Sequence, residues 1–185
     1  MKTKYIYSGK AIVLALLLVL TSVSILGAQN NKKNKPVKVG DQVPSFILKD
    51  QTGNPVDIKS VIGKKKLVLY FYPKDDTPGC TKEACSFRDQ YEVFNQENAL
   101  VIGISGQSVE SHKAFAEKYH LSFTLLSDEG NKVRNLFGVP TKMGMIPGRV
   151  TYIVDLSGKV VYIFNSLSES EKHVSEAIRI LKGMK

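Results

Sequence analysis

Both cysteines of the chain lie in one short stretch, TPGCTKEAC, where Cys80 and Cys85 are separated by four residues. Thiols this close in sequence can form a structural disulfide, contribute to a metal site or act as a reactive pair. Cys80 follows a loop that contains Pro and Gly, and the residues after it have the pattern of a helix. Because the unpaired N–H groups and the positive dipole of a first helical turn stabilise a thiolate, we expect Cys80 to be nucleophilic.

The loop before Cys80 contains groups that would support this chemistry. Thr77 lies three residues before Cys80, so its hydroxyl can reach the sulfur or a molecule bound there. Pro78 and Gly79 keep bulky side chains away from the approach to the sulfur. Pro73 fixes the entry of the loop and removes one backbone N–H. The loop therefore favours an accessible, activated thiol over an inert one.

Helix geometry argues against a permanent bond between Cys80 and Cys85. Five residues along an ideal helix give a rise of about 7.5 Å and a rotation of about 140°, which place the Cα atoms about 8–9 Å apart. That separation exceeds the limit of about 7 Å for a disulfide. A bond between the two sulfurs would require the helical turn to unwind, which suits a redox cycle with two conformations.

Other uses of the two cysteines are less well supported. A structural disulfide stays open on general grounds, since cysteines of exported proteins are often structural. A closed zinc site needs about four ligands, but the sequence has no C-x-x-C motif and its three histidines are scattered. We therefore predict no metal and no cofactor. A cysteine–histidine protease also stays open, because a distant histidine could approach a cysteine in the fold.

The formal net charge of +9 is concentrated at the N-terminus. Residues 1–39 contain seven lysines and no acidic residue, whereas residues 40–185 contain 19 basic and 17 acidic residues. The folded part is thus nearly neutral, which argues against a nucleic-acid partner bound mainly by charge. The hydrophobic fraction of 43% and the charged fraction of 23% are ordinary for a globular protein.

Residues 1–28 have the layout of a secretory signal peptide. Lysines precede the unbroken apolar run AIVLALLLVL, and small and polar residues follow up to Ala28, after which we expect cleavage. An uncleaved membrane anchor within residues 11–28 is the alternative. Either way we predict an exported protein, periplasmic or otherwise extracytoplasmic, whose thiols can be oxidised. The polar and basic residues 29–39 are predicted to link this segment to a domain of residues 40–185.

Strand and helix patterns alternate along the predicted domain. Continuous apolar runs predict three buried strands, at residues 66–72, 99–105 and 123–126. A helical pattern follows the first of them, and its apolar stripe predicts one helix from residue 80 to residue 96. Strands that alternate with helices in this way imply parallel crossover connections.

The end of the chain predicts a hairpin and a final helix. The strands VTYIVD and KVVYIF flank a turn at Gly158, and they add an antiparallel edge to the sheet. Ser168 and Glu171 form a capping box that opens the last helix. Together with the parallel crossovers, these elements predict a three-layer α/β sandwich with a mixed central sheet, of the thioredoxin-like type.

The string FYPKDDTPGCTKEACSFRD also resembles the active site of a known family. It contains the pattern P-x-x-x-T-x-x-C of peroxiredoxins, and it is similar to the peroxiredoxin Q group, also called bacterioferritin comigratory protein. Members of this group are atypical two-cysteine enzymes. The similarity continues through FTLLSDEG, LFGV and GRVTYIVDLSGKVV, so it covers about residues 38–183. The export signal and the basic linker depart from the group, and the segment at 141–148 is a variable region.

The resemblance implies a role for each matching residue. Cys80 would be the peroxidatic cysteine, whose thiolate attacks the O–O bond of a peroxide and becomes a sulfenic acid. Thr77 would hydrogen-bond the peroxide, and Pro73 would shield the sulfur from water. Arg149 would hold the thiolate and polarise the peroxide. Cys85 would be the resolving cysteine, which condenses with the sulfenic acid to a disulfide after local unfolding.

The function that the resemblance implies is a thiol-dependent peroxidase that reduces hydrogen peroxide and organic hydroperoxides. A thioredoxin-like protein would be its reductant, and the enzyme would be a monomer. Without the resemblance, Arg149 would be interpreted as part of a surface ion pair. The alternative function is an exported thiol-disulfide oxidoreductase, and a third is a non-enzymatic exported domain with a structural disulfide.

Overall fold

The computed structural model describes residues 35–184 of the chain. The predicted signal peptide, residues 1–28, lies outside the described residues. Within the described range, no helix is both long and apolar enough to cross a membrane. The strands there are β1 (Ile47–Asp50), β2 (Pro55–Asp57), β3 (Lys66–Phe71), β4 (Ala99–Ser105), β5 (Thr124–Ser127), β6 (Thr141–Lys142), β7 (Ile146–Pro147), β8 (Val150–Val154) and β9 (Val160–Asn165). The α-helices are α1 (Pro78–Asp89), α2 (Tyr91–Gln96), α3 (Val109–Tyr119), α4 (Lys132–Phe137) and α5 (Ser170–Gly183).

Seven of these strands form one sheet in the order β2–β1–β5–β4–β3–β8–β9. The central strands β3, β4 and β5 are parallel to one another. β8 pairs with β3 and β9 pairs with β8, both antiparallel, so the late hairpin extends one side of the sheet as predicted. The β1–β2 hairpin forms the opposite edge and is also antiparallel to β5. The predicted α/β fold with a mixed central sheet is confirmed.

β3 separates the two halves of the hydrophobic core, because successive side chains of a strand point to opposite faces. Val68 and Tyr70 belong to the cluster that includes apolar residues of α1, α2, α3 and α5. Leu67, Leu69 and Phe71 belong to the other cluster, together with residues of α4. All five side chains are at most 1% exposed. This rigid strand therefore fixes the place where its following loop ends and α1 begins.

The helix predicted from residue 80 to residue 96 is two helices, and it begins earlier than predicted. α1 starts at Pro78. Proline suits the first helical position because a backbone N–H there would have no acceptor within the helix. The break comes at Gln90, whose ψ angle of 9° is not helical and ends α1 before α2 begins. The apolar stripe continues across this break through Phe94, so the periodicity alone could not reveal it.

Two other details differ from the sequence-based expectations. The capping box of Ser168 and Glu171 is wrong, because α5 begins at Ser170 and has no side-chain cap. The hydroxyl of Ser166 instead accepts a hydrogen bond from the Glu169 N–H, at 3.3 Å. The variable segment at 141–148 contains the β6–β7 ribbon, in which residues 143 and 144 have positive φ angles that match the turn of a tight hairpin.

Candidate active site

Cys80 lies in the first turn of α1, directly after the loop that leaves β3. Thr77 is the N-cap with extended backbone angles, and Pro78 is the first helical residue. The side chain of Cys80 is 2% exposed and belongs to the same core cluster as Tyr70. A sulfur at this position lies beside the unpaired N–H groups and the positive end of the helix dipole, which favour a thiolate.

The antiparallel pairing of β8 with β3 brings Arg149 to this sulfur. Phe71 pairs with Val150, so Arg149 lies at the carboxyl end of β3. The loop of residues 73–77, called the catalytic loop because it leads to Cys80, begins at this end of the strand. Its side chain is only 3% exposed, and its Nη2 lies 3.5 Å from Cys80 Sγ. Its Nε donates to the carbonyl of Leu167 at 3.3 Å. A guanidinium held in this way stabilises a thiolate and has donors for a peroxide oxygen.

Close packing of α1 against Arg149 depends on Gly79. A Cβ atom at this position would lie 3.2 Å from Arg149 Nη2, which is tight for a carbon beside a charged group. The Gly79 carbonyl also faces Arg149 Nη1, at 3.5 Å. The glycine before the cysteine therefore allows the guanidinium to approach the start of the helix.

The other residues singled out in the sequence lie close by along the chain. The hydroxyl of Thr77 donates to the carbonyl of Lys74 at 3.0 Å, so in this conformation it serves the loop backbone. Pro73 is half-buried at the loop entry. Cys85 is half-buried further along α1, and both cysteines are free thiols. Among residues 35–184, no group of three or more potential side-chain ligands could hold a metal ion.

Glu83 is a buried acid that the sequence reasoning missed. It follows Cys80 by three residues, a spacing that places both on one face of α1. Its side chain is fully buried, and its Oε2 accepts a hydrogen bond from Arg149 Nη1. Its Oε1 has no hydrogen-bond partner among the described residues. Burial raises the pKa of Glu83 to about 8, although the charge and the hydrogen bond of Arg149 oppose this rise.

His173 of α5 lies near Oε1 of Glu83, the carboxyl oxygen that Arg149 does not bind. Its Nδ1 is 3.7 Å from Glu83 Oε1, and both side chains are fully buried. Its Nε2 donates to the carbonyl of Ser166 at 2.8 Å, because a carbonyl can only accept. Burial lowers the pKa of His173 to about 4, so the ring is neutral near pH 7. The neutral Nδ1 then accepts a hydrogen bond from the Thr151 hydroxyl, at 2.7 Å.

A second buried network anchors the loop between β3 and α1. Asp75 accepts hydrogen bonds from the Tyr72 hydroxyl at 2.6 Å and the Ser111 hydroxyl at 2.7 Å. His112 Nδ1 lies 2.8 Å from the same carboxylate, and its Nε2 lies 3.2 Å from the carbonyl of Leu126. Burial would raise the pKa of Asp75, but its hydrogen bonds and the charge of His112 outweigh burial and lower it. The catalytic loop is thereby tied to α3 and β5.

The loop network predicts that Asp75→Asn destabilises the protein by about 3 kcal/mol, since a buried acceptor of three hydrogen bonds loses its charge. The lowered pKa of Asp75 adds a pH dependence, because its contribution is present above the ordinary value of 3.8 and is lost as the pH falls through the folded value. Urea unfolding at several pH values measures both effects. The neighbouring variant Asp76→Asn is the control, since Asp76 is exposed and binds Lys118 at the surface. Equal stability of the two variants would contradict the anchoring role.

Arg134 connects the two chain segments that carry Cys80 and Arg149. Its Nη2 donates to the carbonyl of Tyr72 at 2.7 Å, and its Nη1 donates to the carbonyl of Gly148 at 2.9 Å. Tyr72 is the last residue before the catalytic loop, and Gly148 directly precedes Arg149. The side chain of Arg134 is 2% exposed. One buried guanidinium therefore fixes the spacing between the loop and the start of β8.

The model of the AhpC/TSA family matches residues 39–163. The chain belongs to this family.

Individual members of the family give a more detailed likeness. Chloroplastic peroxiredoxin Q of Sedum lineare is 54% identical over 150 residues, which are 80% of this chain and 80% of that protein. The solved structure of peroxidoxin BcpB from Mycobacterium tuberculosis is 36% identical, with a TM-score of 0.75, over 80% of this chain and 99% of that one. A structure of Xanthomonas campestris bacterioferritin comigratory protein is 29% identical, with a TM-score of 0.70, over 75% of this chain and 90% of that one.

These likenesses confirm the predicted resemblance to the peroxiredoxin Q group. The enzyme is a peroxidase and hence an oxidoreductase of the peroxiredoxin type. Peroxiredoxins act on peroxides and are reduced by thioredoxin-like partners, in agreement with the substrate and partner classes that the sequence predicted.

The predicted location of this peroxiredoxin is wrong. The relatives from Sedum lineare, Triticum aestivum and Arabidopsis thaliana are all chloroplastic proteins, so they point to a plastid and not to an exported or periplasmic enzyme. The prediction rested on the layout of residues 1–28, a positive segment followed by an apolar run and by small residues. Plastid-targeting segments are also positively charged and poor in acidic residues, so the charge of residues 1–39 did not discriminate between the two destinations.

The sequence contained weak signals for the residues that were missed. Glu83 could be found from its helical spacing to Cys80, and Asp75 from its place within the catalytic loop. His173 in α5 and Arg134 in α4 are polar residues whose side chains are buried in the protein core. From sequence alone such residues are expected to face solvent, because charged and polar side chains are mostly exposed.

Proposed function

We propose that this peroxiredoxin reduces hydrogen peroxide and organic hydroperoxides with Cys80 as its peroxidatic cysteine. The observation that carries the proposal is the buried sulfur of Cys80 in the first turn of α1, with Arg149 Nη2 at 3.5 Å. The helix dipole and the guanidinium both stabilise the thiolate, which is the nucleophilic form of the thiol. No other cysteine among residues 35–184 has such a setting.

In the first step, the thiolate of Cys80 attacks the terminal oxygen of the peroxide. The S–O bond forms while the O–O bond breaks, and the leaving oxygen departs as an alcohol or water after it takes up a proton. Arg149 donates to the peroxide oxygens and stabilises the charge that develops on the leaving oxygen. The Thr77 hydroxyl turns from the Lys74 carbonyl to the bound peroxide, and Pro73 limits access of water to the sulfenic acid.

In the second step, the thiol of Cys85 attacks the sulfenic acid of Cys80, and water leaves as the disulfide forms. α1 is continuous from Pro78 to Asp89, and five helical residues place the two Cα atoms about 8–9 Å apart. The disulfide therefore forms only after the first half of α1 unwinds. Cys85 is half-buried, so its thiol can reach solvent and the displaced loop.

In the third step, a thioredoxin-like dithiol reduces the disulfide by exchange and α1 refolds. The support for this step is the family match, together with a disulfide that the unwound segment would expose to a partner. We also propose that the enzyme works as a monomer, since both cysteines and Arg149 come from the same chain. The domain that performs these steps is residues 40–185.

The alternative of an exported thiol-disulfide oxidoreductase is not favoured by the family match. The two activities are separated by an assay pair with the same dithiol reductant. We expect the enzyme to consume hydrogen peroxide and an organic hydroperoxide in a reductant-dependent manner, and to reduce insulin no faster than the dithiol alone. Insulin reduction without peroxide consumption would instead assign the cysteines to disulfide exchange on proteins.

A further inference from the structure

Glu83 lies in the part of α1 that must unwind for the two cysteines to meet. It lies between Cys80 and Cys85 in the sequence, and its side chain is fully buried in the folded helix. One carboxyl oxygen accepts from Arg149 and the other has no hydrogen-bond partner among the described residues. A disulfide between Cys80 and Cys85 would remove this side chain from its pocket, because its helical turn has to open.

The charged and titratable groups around Glu83 do not favour two negative charges in this pocket. Within residues 35–184, Arg149 is the one cation that contacts the carboxyl group, and its Nη2 also donates to Cys80 Sγ. Tyr70 of β3 is neutral, since burial raises the pKa of its hydroxyl well above the ordinary value. His173 of α5 is neutral as well, as its hydrogen bonds and its lowered pKa show. A thiolate and a carboxylate would therefore compete for a single guanidinium.

The second buried guanidinium provides no counter-charge for Glu83. Two donors of Arg134 bind the carbonyls of Tyr72 and Gly148. Burial lowers the pKa of Arg134, whereas the negative charges of Asp128 and Cys80 raise it, so Arg134 supports the thiolate and not a carboxylate at Glu83. An ionised group that is buried without a counter-charge is unstable and takes up a proton instead. Burial outweighs the charge and the hydrogen bond of Arg149 in raising the pKa of Glu83. The proton therefore stays on Glu83 while α1 is folded, whether Cys80 is a thiolate or a neutral sulfenic acid.

We propose that Glu83 holds a proton while α1 is folded around the reduced cysteines and releases it when α1 unwinds to form the disulfide between Cys80 and Cys85. This inference rests on the resolving role proposed for Cys85. It makes Glu83 a positioning residue of the second step, since it acts through the helix and not on the reacting sulfurs. The raised pKa of about 8 supports a protonated carboxyl group in the folded helix.

The complete oxidation neither consumes nor releases protons overall. The Cys80 thiolate, the Cys85 thiol, the Glu83 carboxylic acid and one hydroperoxide become the disulfide, the Glu83 carboxylate, one alcohol and one water. The first step takes one proton from solvent for the leaving oxygen, and the unwinding of α1 returns one proton from Glu83. Wild-type enzyme therefore shows uptake followed by release, with no net change.

The same coupling gives the folded helix a pH dependence. The pKa of Glu83 is raised above its ordinary value of 4.5 in the folded helix. The protonated carboxyl group therefore stabilises the folded helix fully at pH values below 4.5. The contribution is lost as the pH rises through about 8. Unwinding of α1, and with it disulfide formation, becomes more favourable over this range by up to tenfold per pH unit, the limit for one proton.

Two measurements test the proposal, and neither depends on the physiological reductant. In infrared spectra at about pH 7, we expect reduced enzyme to show the C=O band of a protonated carboxyl group. The band should disappear in wild type when the disulfide forms, and it should persist in Cys85→Ser after peroxide, because α1 stays folded. It should be absent from Glu83→Gln and retained in Glu171→Gln, a control at an exposed glutamate paired with Lys82.

The second measurement follows protons with an indicator dye in weak buffer after one equivalent of peroxide. We expect uptake and then release in wild type and in Glu171→Gln, but uptake alone in Cys85→Ser and in Glu83→Gln. If wild type forms the disulfide with neither proton release nor loss of the carboxyl band, the proposal for Glu83 is overturned. If no disulfide forms at all, the resolving role of Cys85 fails instead. The comparison of wild type with Cys85→Ser stands even where Glu83→Gln does not fold.

Discussion

Replacing Cys80 with serine abolishes peroxide reduction and leaves only the rate of the dithiol reductant with peroxide. The serine hydroxyl is not ionised by the helix dipole or by Arg149, and it cannot form a sulfenic acid. The measurement is stopped-flow consumption of hydrogen peroxide at saturating dithiol. Because serine is close to cysteine in volume, the folded state should be retained, and circular dichroism checks this.

Cys85→Ser is the matched control for this variant. It removes the other thiol of α1 while the sulfur at position 80 stays beside Arg149. We expect the first turnover with peroxide to keep its wild-type rate, whereas disulfide formation is lost. Full peroxidase activity in Cys80→Ser would show that the reactive sulfur is assigned to the wrong cysteine.

Replacing Arg149 with glutamine lowers the second-order rate constant for peroxide by about 100- to 1000-fold, the effect of removing a donor that stabilises charge in a transition state. The side chain is buried and its Nη2 faces Cys80 Sγ, so no solvent group can replace its charge. Arg149→Lys should recover only part of the rate, because an ammonium group cannot donate to the sulfur, Glu83 and a peroxide in the same fixed geometry.

Arg179→Gln is the control for the loss of a positive charge. Arg179 lies on α5 at the surface, where it pairs with Glu176. It has no role in the mechanism proposed for Cys80. Its replacement should leave the rate unchanged. A wild-type rate in Arg149→Gln would mean that the guanidinium only hydrogen-bonds Glu83 and does not act on the thiolate or the peroxide.

The sequence predicted the position of Cys80 better than the positions of the residues that surround its sulfur. Cys80 could be placed because a buried strand, a tight loop and a helix start follow one another along the chain, and each has a local pattern. Arg149 is remote in sequence, and its position depends on the pairing of Phe71 with Val150. Only the family resemblance pointed to it, since the register between two distant strands is not readable from either strand alone.

The supporting groups could not be predicted for a related reason. Glu83, His173 and Arg134 are polar residues in helices whose patterns suggest solvent-exposed positions. Their burial results from the packing of α1, α4 and α5 onto the sheet, which is a property of the assembled fold. The same limit applies to the break at Gln90, because the apolar stripe that predicted one helix continues across it.

The central claim is that Cys80 attacks the peroxide and Cys85 resolves the product within the same chain. The most direct test is intact-protein and peptide mass spectrometry of reduced enzyme after one equivalent of hydrogen peroxide, without added reductant. The account predicts a loss of two hydrogens per chain and a peptide in which Cys80 and Cys85 are joined. A product that contains only Cys80 sulfinic acid, or disulfides between two chains, would contradict it.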